Sequence, residues 1–337
     1  MSQANPMQAL YRRLSQVGLS RKFVRETGLP GWWDDEIAAN PAGLAQGLLL
    51  LSRHLGVELA SLQDPAAPIV LRKFGVCKYK KREGVSEEDL ALARVIATRA
   101  AQLVAEAITA PACLVPSDAS EIRQTILDGG APWVGLAELV DFCWSVGIPV
   151  LHVNQLPGNA RRPDGFAARV NGRGVIVLCR RDKHSAWLLF ILAHELGHLA
   201  LGHIPQDGTL IDDHVDESGG DTEERDANAF AIELLAGNSE RRYAAGGRWP
   251  NAAQLADVAL QLGRRQMVDP GHIALNYAHS MGKEFFPVGR AALNILAPNS
   301  NAIALVRDRL AASLDWSLIP EDSSEFLARV TECGSER

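Results

Sequence analysis

The chain has 337 residues, 47% apolar and 22% charged, with a formal net charge of −6. That length supports more than one hydrophobic core, and the acidity excludes a general nucleic-acid polycation, so any such contact is local. The five cysteines (Cys77, Cys113, Cys143, Cys179 and Cys333) are odd in number and form no CxxC pair. This argues against a disulfide framework and for a reducing cytoplasm. The N-terminus has no apolar signal core, and no apolar run reaches bilayer length, so no membrane association is expected.

In chain order, Leu10, Leu14 and Val17 keep helical spacing and Ser20 is placed to cap a second helix. Pro41 opens a third helix running to about His54. Residues 50–62, LLSRHLGVELASL, loosely resemble the closing helices of a lambda-repressor-type helix-turn-helix domain. The recognition helix would then fall near the acidic stretch Trp33-Asp34-Asp35-Glu36, and a plain helical scaffold is the stronger reading. A linker-like DPAAP at 64–68 precedes a basic strip: Arg72, Lys73, Lys78, Lys80, Lys81 and Arg82, with Phe74 and Tyr79 interleaved. Such a strip can track the phosphates of an unpaired strand and stack its bases. The plainer reading is a solvated connector.

A capped helix is predicted over 86–109 and an amphipathic one over 132–147. Residues 148–153, 166–170 and 175–179 have strand composition, with turn residues between them. A helix over 185–203 follows, then a polar loop over 204–220 and a helix over 222–237, capped by Asp221 or Thr222 and ended at Gly237. Helices with a strand or two are expected over 251–297, and one more helix over 303–330.

The predicted helix at 185–203 contains His194-Glu195-Leu196-Gly197-His198, an H-E-x-x-H motif with apolar flanks. Residues four apart on a helix share a face, about 6 Å apart along the axis. His194 and His198 can therefore direct ring nitrogens at one metal ion, with Zn–N near ~2.0–2.1 Å. Glu195, one residue on, reaches a metal-bound water and is the candidate general base. The plain alternative is two core histidines with satisfied hydrogen bonds. Gly197, a poor helix former mid-motif, suggests close approach of another element. A catalytic zinc needs a third protein ligand. Glu224, with Asn228 four residues on as an orienting group, is the first candidate, and Glu223 and Asp226 are its rivals.

HELGHLALGH, a loop and then E-R-D-A-N-A-F-A-x-E-L-L together resemble the ImmA/IrrE family of zinc metallopeptidases, over roughly residues 130–240. The resemblance implies an α+β, zincin-like domain in which a small sheet precedes the HExxH helix. It implies one zinc ion per chain, held by His194, His198 and Glu224, with Glu195 as base. Asn228 and Phe230 fall on the family's A-N-x-F-A pattern, whereas Asp226 stands where the family more often has Glu. A metzincin is disfavoured because Leu201 and Ile204 occupy the positions its pattern requires as Gly and His. The chain then divides into a helical, helix-turn-helix-like region (1–70), a basic connector and long helix (71–110), the zincin domain (111–240) and a mostly helical C-terminal region (241–337).

Members of this family cleave a partner helix-turn-helix repressor inside the cell and so release an operon. The mixture of regions also resembles the CapP-type peptidases of antiphage defence operons. Residues 111–118, PACLVPSD, are similar to the cysteine-switch segment of matrix metalloproteases, in which a thiolate takes the position the water needs. Cys113 is therefore a candidate inhibitory fourth ligand, its plainer reading being a free cysteine in a linker. The basic strip upstream is a candidate sensor for an activating single-stranded DNA. His203, Tyr243, His272 and Tyr277 are candidates for stabilising an oxyanion. The rival functions are a DNA-binding transcriptional regulator with a structural or vestigial zinc site, and a metal-dependent hydrolase of small amides.

Overall fold

The computed structural model describes residues 5–72, 78–79, 87–109, 111, 115–158, 160, 162–204, 217–247 and 249–334, with 78–79, 87–90 and 217–221 described as backbone. The N-terminal part comprises α1 (Pro6–Gln16), the single turn α2 (Arg21–Phe23) continued by a π turn, a 3₁₀ turn (Asp35–Ala39), α3 (Pro41–Leu55) and α4 (Leu59–Gln63). These helices are written locally. In α1, Asn5 caps Met7 N–H, Pro6 opens the first turn, and Met7, Leu10, Tyr11 and Leu14 form one buried stripe. Ser20 caps α2, as its position predicts, and Asn40 caps α3, which Pro41 opens. Trp33, in the acidic stretch, is buried against α3 at Gly47.

After β1 (Lys78–Tyr79) come α5 (Glu87–Glu106), α6 (Ala119–Asp128), α7 (Leu136–Ser145), β2 (Val150–His152), β3 (Gly165–Val170) and β4 (Arg173–Leu178). The sheet order is β1-β3-β4-β2; β3 pairs antiparallel with β1 and β4, and β4 pairs parallel with β2. A two-residue turn at Asn171–Gly172 sets the β3–β4 register, with Val170 opposite Arg173. Side chains then alternate between faces. Phe166, Ala168, Val175 and Val177 join a core with α5 and the N-terminal helices, while Ala167, Ile176 and Leu178 join a second core with α6 and α7. The first core therefore runs across positions 70 and 110. A sheet covered on both faces has continuous apolar strands, which is how residues 175–178 read.

The second core is completed by α8 (Ser185–Ala200) and α9 (Glu217–Ala236). α8 packs on β3 and β4 and against α7 and α9, which explains its burial around nearly the whole circumference. α9 begins one turn before the expected cap at Asp221 or Thr222. Gly219 and Gly220 made that turn read as loop, and propensity is a weak prior against tertiary packing.

The C-terminal part is helical: α10 (Ala252–Gln266), α11 (Pro270–Met281), α12 (Phe286–Leu296), α13 (Ala302–Ser313) and α14 (Glu321–Thr331). No strand occurs there among the described residues. The single helix expected over 303–330 is two, because Asp315 and Pro320 stop one and start the next. α10, α11 and α12 form a third core with Ala186 at the start of α8 and Ala236 at the end of α9. α14 returns to the first core. No helix among the described residues is long and apolar enough to cross a membrane.

Two buried histidines make the fold sensitive to acid. His152 on β2 donates from Nε2 to Arg180 C=O. His272 on α11 stacks on Phe190, and neither of its ring nitrogens has a hydrogen-bond partner among the described residues. Burial lowers both imidazoles from 6.5 to about 4. Between those values the unfolded chain binds protons that the native state refuses, so stability falls as pH drops below about 6.5. Each group is worth about 2 kcal/mol between pH 7 and pH 5. His272→Phe is expected to lose about that much less stability than wild type over this interval, read from urea unfolding at the two pH values. Equal losses in the two proteins would contradict it.

Candidate metal centre

α8 and α9 cross at Gly197, where an added Cβ would lie 3.0 Å from Phe230 Cδ1 and 3.3 Å from Ala227 C=O. The missing side chain lets α9 approach close enough to bring its own residues to the histidine pair. On α8, His194 and His198 are fully buried and their Nε2 atoms lie 3.1 Å apart, with rings edge to face. Glu224 on α9 completes the cluster: Oε2 lies 3.4 Å from His194 Nε2 and Oε1 lies 3.4 Å from His198 Nε2. Among the described residues, these three form the His/Cys/Asp/Glu group whose donor atoms all lie within 4.8 Å of one another. Of the rival acids, Asp226 is exposed, and neither Asp226 nor Glu223 is in that group.

Electrostatics fit the same picture. Burial alone would raise the Glu224 carboxyl, but the two imidazoles facing it outweigh burial and hold the group well below the usual carboxylate range. Three donor atoms converging this closely, with two imidazole nitrogens facing each other, are the donor set a divalent cation requires. His194, Glu195 and His198 are sealed in the core, whereas the Glu224 side chain is 39% exposed. The cluster therefore opens on the α9 side. Glu195, one residue along α8, is fully buried beside the pair.

The far sides of both rings are held. His194 Nδ1 lies 3.2 Å from Asn228 Oδ1, one helical turn below Glu224. His198 Nδ1 lies 3.0 Å from His203 Nδ1. Asn228 was legible from its spacing to Glu224; the contact made by His203 was not.

Of the four oxyanion candidates, His203 is the one shown touching a histidine of the pair. The Tyr243 hydroxyl donates to Gln266 Oε1, Tyr277 packs edge-on against Phe285, and His272 lies behind Phe190. Cys113 and the strip residues Lys73, Lys80, Lys81 and Arg82 lie outside the described residues, and Lys78 is described as β1 backbone. Arg72 donates to Ser52 Oγ at 2.7 Å. Cys143, Cys179 and Cys333 are free and buried, and burial pushes the Cys179 thiol up to about 12, so it is inert as a nucleophile or ligand.

The model of the IrrE N-terminal-like domain, Peptidase M78, matches residues 146–258, about a third of the chain. The matched segment runs from β2 through α8 and α9 into α10, and holds His194, Glu195, His198 and Glu224 together. It is an ImmA/IrrE-family metallopeptidase domain. No curated protein and no solved structure matches the chain significantly. In this ImmA/IrrE domain the strand–helix order is that of a zincin: a small mixed sheet, then the HExxH helix, then the helix bearing the third acid. The N-terminal helices, α5 and α11–α14 lie outside the matched segment, yet they pack on its outer sheet face and on the ends of its two central helices.

Proposed function

We propose that this chain is a zinc-dependent endopeptidase of the cytoplasm that cleaves a partner helix-turn-helix repressor and thereby releases an operon in a stress or antiphage response. The observation that carries the chemistry is the convergence of His194 Nε2, His198 Nε2 and both Glu224 oxygens beside a buried Glu195, within the segment that matches the family. A zinc ion bound there supplies a Lewis acid for the scissile carbonyl and lowers the pKa of a water. The rest is done by the chain. His194, His198 and Glu224 hold the ion, and Asn228 takes the Nδ1–H of His194 so that its Nε2 lone pair faces inward. Glu195 receives the proton of the attacking water on its carboxylate and passes it to the departing amine.

Control of the enzyme is read from the sequence. Cys113 serves as an inhibitory fourth ligand, and the strip from Arg72 to Arg82 binds single-stranded DNA that draws the Cys113 segment away. The CapP-type arrangement in an antiphage operon fits such a trigger.

The test pairs the protein with the repressor encoded beside it, in the presence of zinc or of a chelator, with and without single-stranded DNA. Cleavage is expected with zinc and none after chelation, with recovery when zinc is restored. Cys113→Ala should cut without DNA. Neutralising Lys78, Lys80, Lys81 and Arg82 together should abolish the DNA response. Cleavage that survives complete removal of metal would overturn the reading.

A further inference from the structure

The turn that ends α8 is tied to the chemistry of His198. Leu201 caps the helix, and Gly202 follows at a φ of 72°. Two backbone bonds close the turn, Gly202 N–H to Leu199 C=O at 3.3 Å and His203 N–H to His198 C=O at 3.0 Å. This is the Schellman arrangement, which folds the residue after the left-handed position back over the third residue from the helix end. The contact it creates is commonly apolar. Here the pair is His198 and His203, with Nδ1 atoms 3.0 Å apart and rings edge to face at 5.2 Å.

We propose that His203 is a positioning residue for the metal centre: its Nδ1 accepts the Nδ1–H of His198 and so fixes the tautomer that turns a lone pair of His198 Nε2 toward His194 and Glu224. The inference rests on the metal-centre reading and adds to it the device that prepares one ligand. Two neutral imidazoles meeting through Nδ1 share one proton. With that proton on His203, His198 would carry its own hydrogen on Nε2, aimed at His194 Nε2 only 3.1 Å away, and no cation could sit between them. With the proton on His198, the inward nitrogen is free to bind. Asn228 does the same for His194, and there the choice is forced because an amide oxygen only accepts.

The position of His203 is set by the sheet. From β3, Arg169 donates to Ile204 C=O at 3.1 Å and to Leu199 C=O at 3.4 Å, pinning both sides of the turn. The histidine that misses the metzincin register by one residue therefore stands behind a ligand rather than acting as one.

The experiment titrates metal-free protein with Zn²⁺ against a chromophoric chelator, for wild type, His203→Leu and His203→Asn, with thermal melts of each apo protein. Losing an outer hydrogen-bond partner should weaken zinc roughly 10–100-fold in His203→Leu. His203→Asn places an accepting oxygen near the lost Nδ1, as Asn228 does on the other side, and should stay within about threefold of wild type. Zinc affinity of His203→Leu equal to wild type, or equal weakening in both variants, would overturn the positioning role. If the leucine variant does not fold, His203→Ala is read in its place with the same expectation. Wild-type protein that fails to take up one zinc would overturn the metal centre itself, a result distinct from either of the others.

Discussion

Glu195→Gln is expected to lose proteolysis of the partner repressor by about 10²–10⁴-fold while still binding one zinc, because glutamine keeps the shape and loses the proton-accepting carboxylate. The residue is fully buried, and a buried carboxylate is costly unless its surroundings compensate. Neutralising it should therefore leave the melting temperature unchanged or raise it. That opposition between activity and stability separates the peptidase from its main rival. A regulator with a structural zinc site needs His194, His198 and Glu224 but no base, so its Glu195→Gln variant would show the same unchanged or raised melting temperature with no loss of function. The measurements are the rate of repressor cleavage, zinc stoichiometry and a thermal melt on the same preparation. A glutamine variant that cuts at the wild-type rate would remove Glu195 from the mechanism.

The parts of this site legible in the sequence were those fixed by helical period alone. His194 and His198 share a face because they are four apart, and Glu224 and Asn228 do so for the same reason. Which acid of α9 meets the pair was not local information. Glu223, Glu224 and Asp226 crowd one stretch of helix, and the choice depends on how far α9 is rotated, which the packing of Phe230 and Ala227 on Gly197 decides. The small residue inside the motif was a sign of that crossing, but not of its angle. His203 was hidden for another reason. The Gly202-His203 pair is a helix-stop signal, and its chemical meaning appears only when the turn brings position 203 back over position 198. Strands β2, β3 and β4 were clear from composition, and the Ser20 cap from its position, whereas β1 lay inside the stretch read as a basic connector. That those helices cover the outer face of the sheet, sharing one core with α5 and α14, is a long-range fact no local pattern carries.

Arg123 shows the same limit at larger energetic scale, and its replacement by methionine is expected to cost about 3–5 kcal/mol. In the sequence it is one basic residue between the helices expected over 86–109 and 132–147, with nothing local to assign it a partner. In the fold it is buried, and its two terminal nitrogens reach the ends of two other helices. Nη1 donates to Leu234 C=O at 3.2 Å and Leu235 C=O at 2.8 Å, and Nη2 donates to Gln266 C=O at 3.3 Å and Met267 C=O at 2.6 Å. These carbonyls lie in or just beyond the last turns of α9 and α10, where a helix has no backbone donors left for them. The guanidinium thus caps both helices and sets a positive charge at two negative dipole ends. Burial works against it, lowering its affinity for its proton. Methionine would remove that desolvation cost, yet it would strand four acceptors at once, each worth on the order of 1 kcal/mol, so the loss should win. Lysine keeps the charge but not the fork, and should recover less than half of the stability. Because α9 carries Glu224 and Asn228 toward its other end, zinc affinity should fall far less than stability does. Urea midpoints and zinc titrations of Arg123→Met and Arg123→Lys give both numbers, and a methionine variant within about 1 kcal/mol of wild type would show that water had replaced the guanidinium at those carbonyls.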